Sequence, residues 1–158
     1  MAQAAQFDTF TLERTFAAPL ARVFRAFSDP REKKSWFAQG SQHEIEHYDM
    51  QFELGGREQA RYRFKPGTPF AGVALESDGY FLDIVPQQRI VAAATMAMGE
   101  RRFSASLHTF EFFSDGSDST RLVFTHQAMY GEGADGPKLR RAGWQQLLSQ
   151  LDTALVAK

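Results

Sequence analysis

Four histidines, His43, His47, His108 and His126, are the residues best able to move a proton near neutral pH in this chain. Cysteine is absent, which removes disulfides, thiol catalysis and thiolate metal sites. His43 and His47 lie four apart, about 13 Å along an extended strand, too far to share a metal ion. They read as surface residues. His108 and His126 are different. A hairpin of 104–113 and 120–128, closed by the five residues 115–119, pairs Ser114 with Thr120, Phe112 with Leu122, Phe110 with Phe124 and His108 with His126. This register places every apolar residue on one face. The two imidazoles then stand side by side on that face, with Cβ atoms about 5 Å apart. Two readings stay open: core histidines satisfied by backbone or by each other, or a polar anchor in an aromatic cavity. In the second reading His108 and His126 are the candidate catalytic bases. A zinc ion would need a third protein ligand and none is assignable, so neither a metal nor a cofactor is expected.

Other motifs carry less. Gly131-Glu132-Gly133-Ala134-Asp135-Gly136 matches the spelling G-x-G-x-x-G, but a dinucleotide fold needs a second parallel strand after the helix, and the sequence runs out at Lys158. The segment reads as a loop whose Gly136-Pro137 step opens a helix. Lys138, Arg140 and Arg141 follow in the first turn, where the helix dipole disfavours cations; they read as a solvated basic face. No G-x-S-x-G or P-loop is present. His43-Glu44-Ile45-Glu46-His47 spells H-E-x-x-H, but that motif binds metal on a helix, and this stretch reads as a strand. Asp83 and Glu111 fall on the solvent parity of their strands.

The elements that must position these residues follow from periodicity. Residues 7–17 alternate, with Phe10, Leu12, Phe16 and Arg14 on one parity: a half-buried strand. Pro19 then opens a helix in which Leu20, Val23, Phe24 and Phe27 form one stripe. Asp29-Pro30-Arg31-Glu32 restarts a second helix, with Asp29 as cap and Glu32 completing a capping box; it ends near Trp36-Phe37. From 42 to 128 the period is two, with strands at 42–53, 56–64, 71–85, 89–98, 104–113 and 120–128. In 56–64, Arg57, Gln59, Arg61 and Arg63 share a wet face and Glu58, Ala60, Tyr62 and Phe64 the other, as in an antiparallel sheet. Asp78-Gly79 reads as a bulge or bend. Pro137 opens a last helix of about 20 residues with Trp144, Leu147, Leu148, Leu151 and Leu155 as its stripe.

The chain has 158 residues, enough for one domain, 1–158, that folds on its own core. Its 18 basic and 19 acidic residues give a net charge of −1, which argues against bulk binding to nucleic acid or an anionic membrane. The N-terminal stretch lacks the basic and apolar regions of a secretory signal, and no segment has the roughly 18 apolar residues of a membrane span. A cytoplasmic protein is the expectation. The 15 Phe among 158 residues imply either a Phe-rich core or a cavity lined with rings.

Several segments together resemble one family. They are Arg14-Thr15-Phe16-Ala17-Ala18-Pro19 with Val23-Phe24-Arg25-Ala26-Phe27; Asp29-Pro30 followed by Trp36-Phe37; Gly55-Gly56; Asp83-Ile84-Val85-Pro86 with Arg89-Ile90-Val91; Ser119-Thr120-Arg121-Leu122-Val123-Phe124-Thr125; and Gly143-Trp144 with Leu147, Leu148 and Leu151. In order and over nearly the whole length, they resemble the bacterial branch of the SRPBCC, or START-like, superfamily, related by name to the activator of the heat-shock-protein-90 ATPase. The resemblance implies an α+β helix-grip fold: a curved antiparallel sheet of about seven strands around the long C-terminal helix, with two short helices after the first strand. It also implies a cavity for hydrophobic small molecules, and some such relatives are polyketide cyclases or aromatases. Relatives often carry Arg where this chain has Glu53, and Thr-Glu-Gln where it has Thr125-His126-Gln127.

The resulting expectation is a protein that binds a small apolar or aromatic molecule. Its lining would be Trp36 and Phe37 at the mouth, Tyr62, Phe64, His108, Phe110, Phe124 and His126 from the sheet, and Trp144, Leu148 and Leu151 from the helix. A cyclase, aromatase or hydratase using a histidine base is the alternative. The family name adds a chaperone-associated module as a third reading, and an open sheet edge leaves room for a homodimer.

Overall fold

Strands form where apolar and polar residues alternate, and helices where the apolar spacing lengthens to three and four. The computed structural model describes residues 4–38, 40 and 43–156. The first residues of the N-terminal stretch, the Gln42 start of the second expected strand and the final two residues lie outside these. In chain order the elements are β1 (Gln6–Phe16), α1 (Leu20–Ser28), α2 (Pro30–Phe37), β2 (His43–Met50), β3 (Arg57–Phe64), β4 (Ala74–Val85), β5 (Arg89–Met98), β6 (Arg101–Ser114), β7 (Thr120–Tyr130) and α3 (Pro137–Val156). The strands make one antiparallel sheet in the order β1-β7-β6-β5-β4-β3-β2. This is the α+β helix-grip arrangement expected from the sequence, with α3 against the sheet's apolar face. No helix of the described residues is long and apolar enough to cross a membrane.

The β6–β7 register is the expected one: Ser114 pairs with Thr120, Phe112 with Leu122, Phe110 with Phe124 and His108 with His126. Other boundaries moved. The strand expected from residue 71 starts at Ala74, because Gly72 takes a φ of +82° and closes a turn after Phe64. The bulge expected at Asp78-Gly79 lies instead between Phe81 and Asp83, with Leu82 as the extra residue.

The helices are tied by specific contacts. Asp29 caps α2, accepting from the Arg31 and Glu32 amides at 2.9 and 3.2 Å. Glu32 does not complete a capping box. Its carboxylate turns to Arg22 and Arg25 and joins α2 to α1. Trp36 donates its indole N–H to the Ala26 carbonyl at 2.9 Å. Gln150 on α3 donates to the Trp36 carbonyl at 2.6 Å, and Arg14 on β1 reaches Ser149 at 3.0 Å. The core fills one end of the grip: Phe16, Val23, Phe27, Trp36, Leu122, Phe124, Leu148 and Leu151 are buried together.

Candidate functional site: a cavity under the C-terminal helix

Cross-strand registers arrange the apolar face of the sheet in rows. Ile84, Ile90, Phe110, Phe124 and Leu12 form one row from β4 to β1. The next row is Phe81, Ala92, His108, His126 and Phe10. The row beyond holds Glu58, Gly79, Ala94, Ser106 and Ala128. Side chains on one row share a face, so bulk falls away from one row to the next. The imidazoles stand at the boundary between the filled end and the hollow end. Gly79 is required small: a Cβ there would come within 2.6 Å of the Ala93 carbonyl oxygen.

The hollow end is a cavity of about 480 Å³ between sheet and α3. The sheet supplies Tyr62, Leu75, Ser77, Ala94, Met96, Ser106 and His108, and α3 supplies Leu139, Arg140, Gly143, Trp144 and Leu147; Phe37 closes one side. A smaller void of about 30 Å³ lies deeper, bounded by Phe27, Phe110, Lys33, Glu58 and Ile90. Phe37, Ser77, Ala94, His108 and Trp144 border both spaces.

Of the expected lining, Phe37, Tyr62, His108 and Trp144 border the cavity, and Phe110 borders the inner void. Trp36, Phe124, Leu148 and Leu151 are packed in the core and border neither. Phe124 lies flat on Phe110, 4.5 Å between centroids, with Trp144 tilted over it at 4.4 Å. Phe64 stands to one side, against His43 and Phe70.

The histidine pair is asymmetric. His108 is half-buried, borders the cavity, and has Nε2 2.9 Å from the Ser106 hydroxyl. Its pKa is held well below the ordinary imidazole value, first by burial, then by His126, Arg140 and Lys33. His126 is fully buried, stacked between Phe10 at 4.7 Å and His108 at 5.0 Å. Burial and the Arg140 guanidinium lower its pKa to about 4. Its Nε2 faces Arg140 Nη1 at 3.5 Å, and its Nδ1 has no hydrogen-bond partner among the described residues. His126 does not border the cavity.

Two expectations about charge are corrected. Arg140 does not belong to a solvated basic face. It is 7 % exposed and turned inward. Its Nε and Nη2 donate to the two Asp135 oxygens at 2.8 and 2.9 Å, and Nη2 also donates to Ser104 at 2.9 Å. Lys138 and Arg141 are exposed. His43 is likewise not a surface residue. A bulge between Ile45 and His47 breaks the parity of β2, leaving His47 outside and placing His43 against Tyr62 at 4.5 Å, on the cavity wall.

Sequence reasoning also missed a buried ion pair. Lys33 is 4 % exposed, with Nζ 2.9 Å from Glu58 Oε2 and 4.5 Å from the centre of the Phe37 ring. The Tyr48 hydroxyl donates to the same Glu58 oxygen at 2.6 Å. The parity of 56–64 already placed Glu58 on the apolar face, and a carboxylate there demands a partner. That was the available signal. Among the described residues no three acidic or histidine side chains gather as a metal site.

Comparison with known proteins agrees with this architecture. A protein of Rhizobium leguminosarum is 35 % identical over 96 % of both chains, with a TM-score of 0.88. The Mll3558 protein of Rhizobium loti is 37 % identical, covering 96 % of this chain and 99 % of its own, with a TM-score of 0.83. DynU16, from the dynemicin biosynthetic locus, shares the fold at 19 % identity and a TM-score of 0.60; the match covers 94 % of this chain and 47 % of DynU16. Curated proteins yield no match. The profile of the family described as Activator of Hsp90 ATPase homolog 1-like protein matches residues 17–156, and the chain belongs to that family.

Proposed function

We propose that the protein binds a small, largely apolar or aromatic molecule in the cavity between the sheet and α3. The observation that carries this reading is the cavity itself. At about 480 Å³ it lies within the range of small-molecule sites, and it has their character: mostly apolar walls with a few convergent polar groups. Side chains fill this region only as far as the histidine row; beyond it Gly79, Ala94 and Ser106 leave the space open. Rings and aliphatic side chains supply burial worth about 25 cal/mol for each Å² removed from water. Of the two imidazoles, His108 is the one that meets the bound molecule. With its proton affinity lowered, it acts as a neutral donor or acceptor.

Trp144 is the reporter, because its ring borders the cavity. The chain has 2 Trp, so Trp36→Phe leaves Trp144 as the only indole. Titrating that variant with a panel of apolar aromatic compounds is expected to give saturable changes in emission. A flat response across the panel, with the variant folded, would contradict the proposal.

A further inference from the structure

The charges on the cavity wall cancel in pairs. The charged side chains bordering the two spaces are Lys33, Glu58, Arg140 and Asp135. Lys33 is paired with Glu58 at 2.9 Å, and Arg140 with Asp135 through two bonds. The imidazoles on the wall, His43 and His108, are both pushed toward the neutral form by burial first. Among the described residues bordering the two spaces, no cation is left without a carboxylate. A carboxylate entering this space would give up its water and meet two carboxylates already holding Lys33 and Arg140, a penalty with no return.

The inner void adds a second, independent constraint. At about 30 Å³ it has room for one small polar group and no more. It is bounded by the Lys33–Glu58 pair, with Ser77 and His108 where it meets the larger space. Glu58 Oε2 already receives both Tyr48 and Lys33, whereas Oε1 receives only the longer Lys33 contact at 3.3 Å. An ammonium has three donors and no acceptor, and a carboxylate has acceptors alone. Side by side they present a donor and an acceptor together, which a hydroxyl group matches with its one donor and its lone pairs.

We infer that the ligand is a neutral hydroxylated aromatic, such as a phenol, whose ring lies in the large cavity and whose hydroxyl enters the inner void against Lys33 and Glu58. This rests on the binding reading above and narrows it to a chemical class. The Lys33–Glu58 pair is then a recognition element, and the aromatic cage of Phe27, Trp36 and Phe37 around Lys33 is what holds it in place.

Calorimetric titration of the full chain at neutral pH with three matched probes, naphthalene, 2-naphthol and 2-naphthoate, tests this. 2-Naphthol is expected to bind about 10- to 100-fold tighter than naphthalene, the effect of a hydrogen bond to a charged partner, and 2-naphthoate to bind weakest. Equal affinity for naphthalene and 2-naphthol would overturn the hydroxyl anchor while leaving the apolar binding reading intact. A tighter 2-naphthoate would overturn the claim of a charge-neutral site. No binding by any of the three would overturn both readings. In Glu58→Gln, which leaves the ammonium without its anion, the preference is expected to shift from 2-naphthol toward 2-naphthoate. An unchanged ranking in a folded variant would contradict the assignment of Glu58. The wild-type ranking stands as a test even if that variant fails to fold.

Discussion

His126 is the residue whose chemistry most directly links to stability. It is buried beside Arg140, with His108 stacked on it and Asp135 beyond the guanidinium. In the unfolded chain its pKa returns to about 6.5, whereas in the fold it is about 4. Between these values the unfolded state binds a proton that the folded state refuses. The contribution of His126 to stability is therefore full above pH 6.5, falls as the pH drops toward 4, and levels off below that. The loss reaches on the order of 3 kcal/mol, and His108, shifted the same way, adds to it. Urea unfolding followed from pH 7.5 to 4.5 is expected to show this decline, and His126→Phe to make it shallower while keeping the stack on Phe10, with His108 retaining its share. An equally steep decline in that variant would assign the acid sensitivity elsewhere. The pairing of His108 with His126 was legible because a five-residue loop fixes hairpin register and one choice alone puts Phe110, Phe112, Leu122 and Phe124 on a single face. The inward turn of Arg140 was not legible. Helical position does not reveal that Asp135, in the preceding loop, and Ser104, on a distant strand, are waiting for it.

At the scale of elements, the short helices depend on local signals that the sequence displays openly. Asp29 followed by Pro30 reads as a cap and a first helical position, and the cap bonds are present. Asp29→Ala is expected to lower stability by about 1 kcal/mol, measured as a shift in denaturant midpoint with an unchanged slope. A shift below about 0.2 kcal/mol would mean that packing of Trp36 alone holds α2 in place. Glu32 shows the limit of such reading. Its spacing from Asp29 suits a capping box, but two arginines on α1 compete for the same carboxylate, and two charge-assisted bonds prevail over one to an amide. Strand 43–50 shows a second limit. Strict alternation assigned His43 and His47 to one face, and a single extra residue at the bulge separated them. Bulges leave little trace in side-chain type when neither residue is glycine.

At the scale of the whole molecule, the fold is the part most fully written in the sequence, because each strand carries its own alternation and α3 its own stripe. The cavity is written there only jointly. Gly79, Ala94, Ser106 and Ala128 are ordinary small residues until the β4–β5, β5–β6 and β6–β7 registers align them. Three registers must be known before the hollow exists on paper. The excess of Phe is divided accordingly: Phe16, Phe24, Phe112 and Phe124 fill the core, while Phe27, Phe37, Phe81 and Phe110 border open space. Ala94 borders both the cavity and the inner void, so a large side chain there blocks any molecule bound in this space. Ala94→Phe places a ring where a ligand would sit. Calorimetric titration of wild type and Ala94→Phe with 2-naphthol is expected to give saturable binding in the first and none in the second, with the variant's thermal midpoint held within a few degrees. Equal binding in both proteins would place the molecule outside this cavity and contradict the proposed binding site.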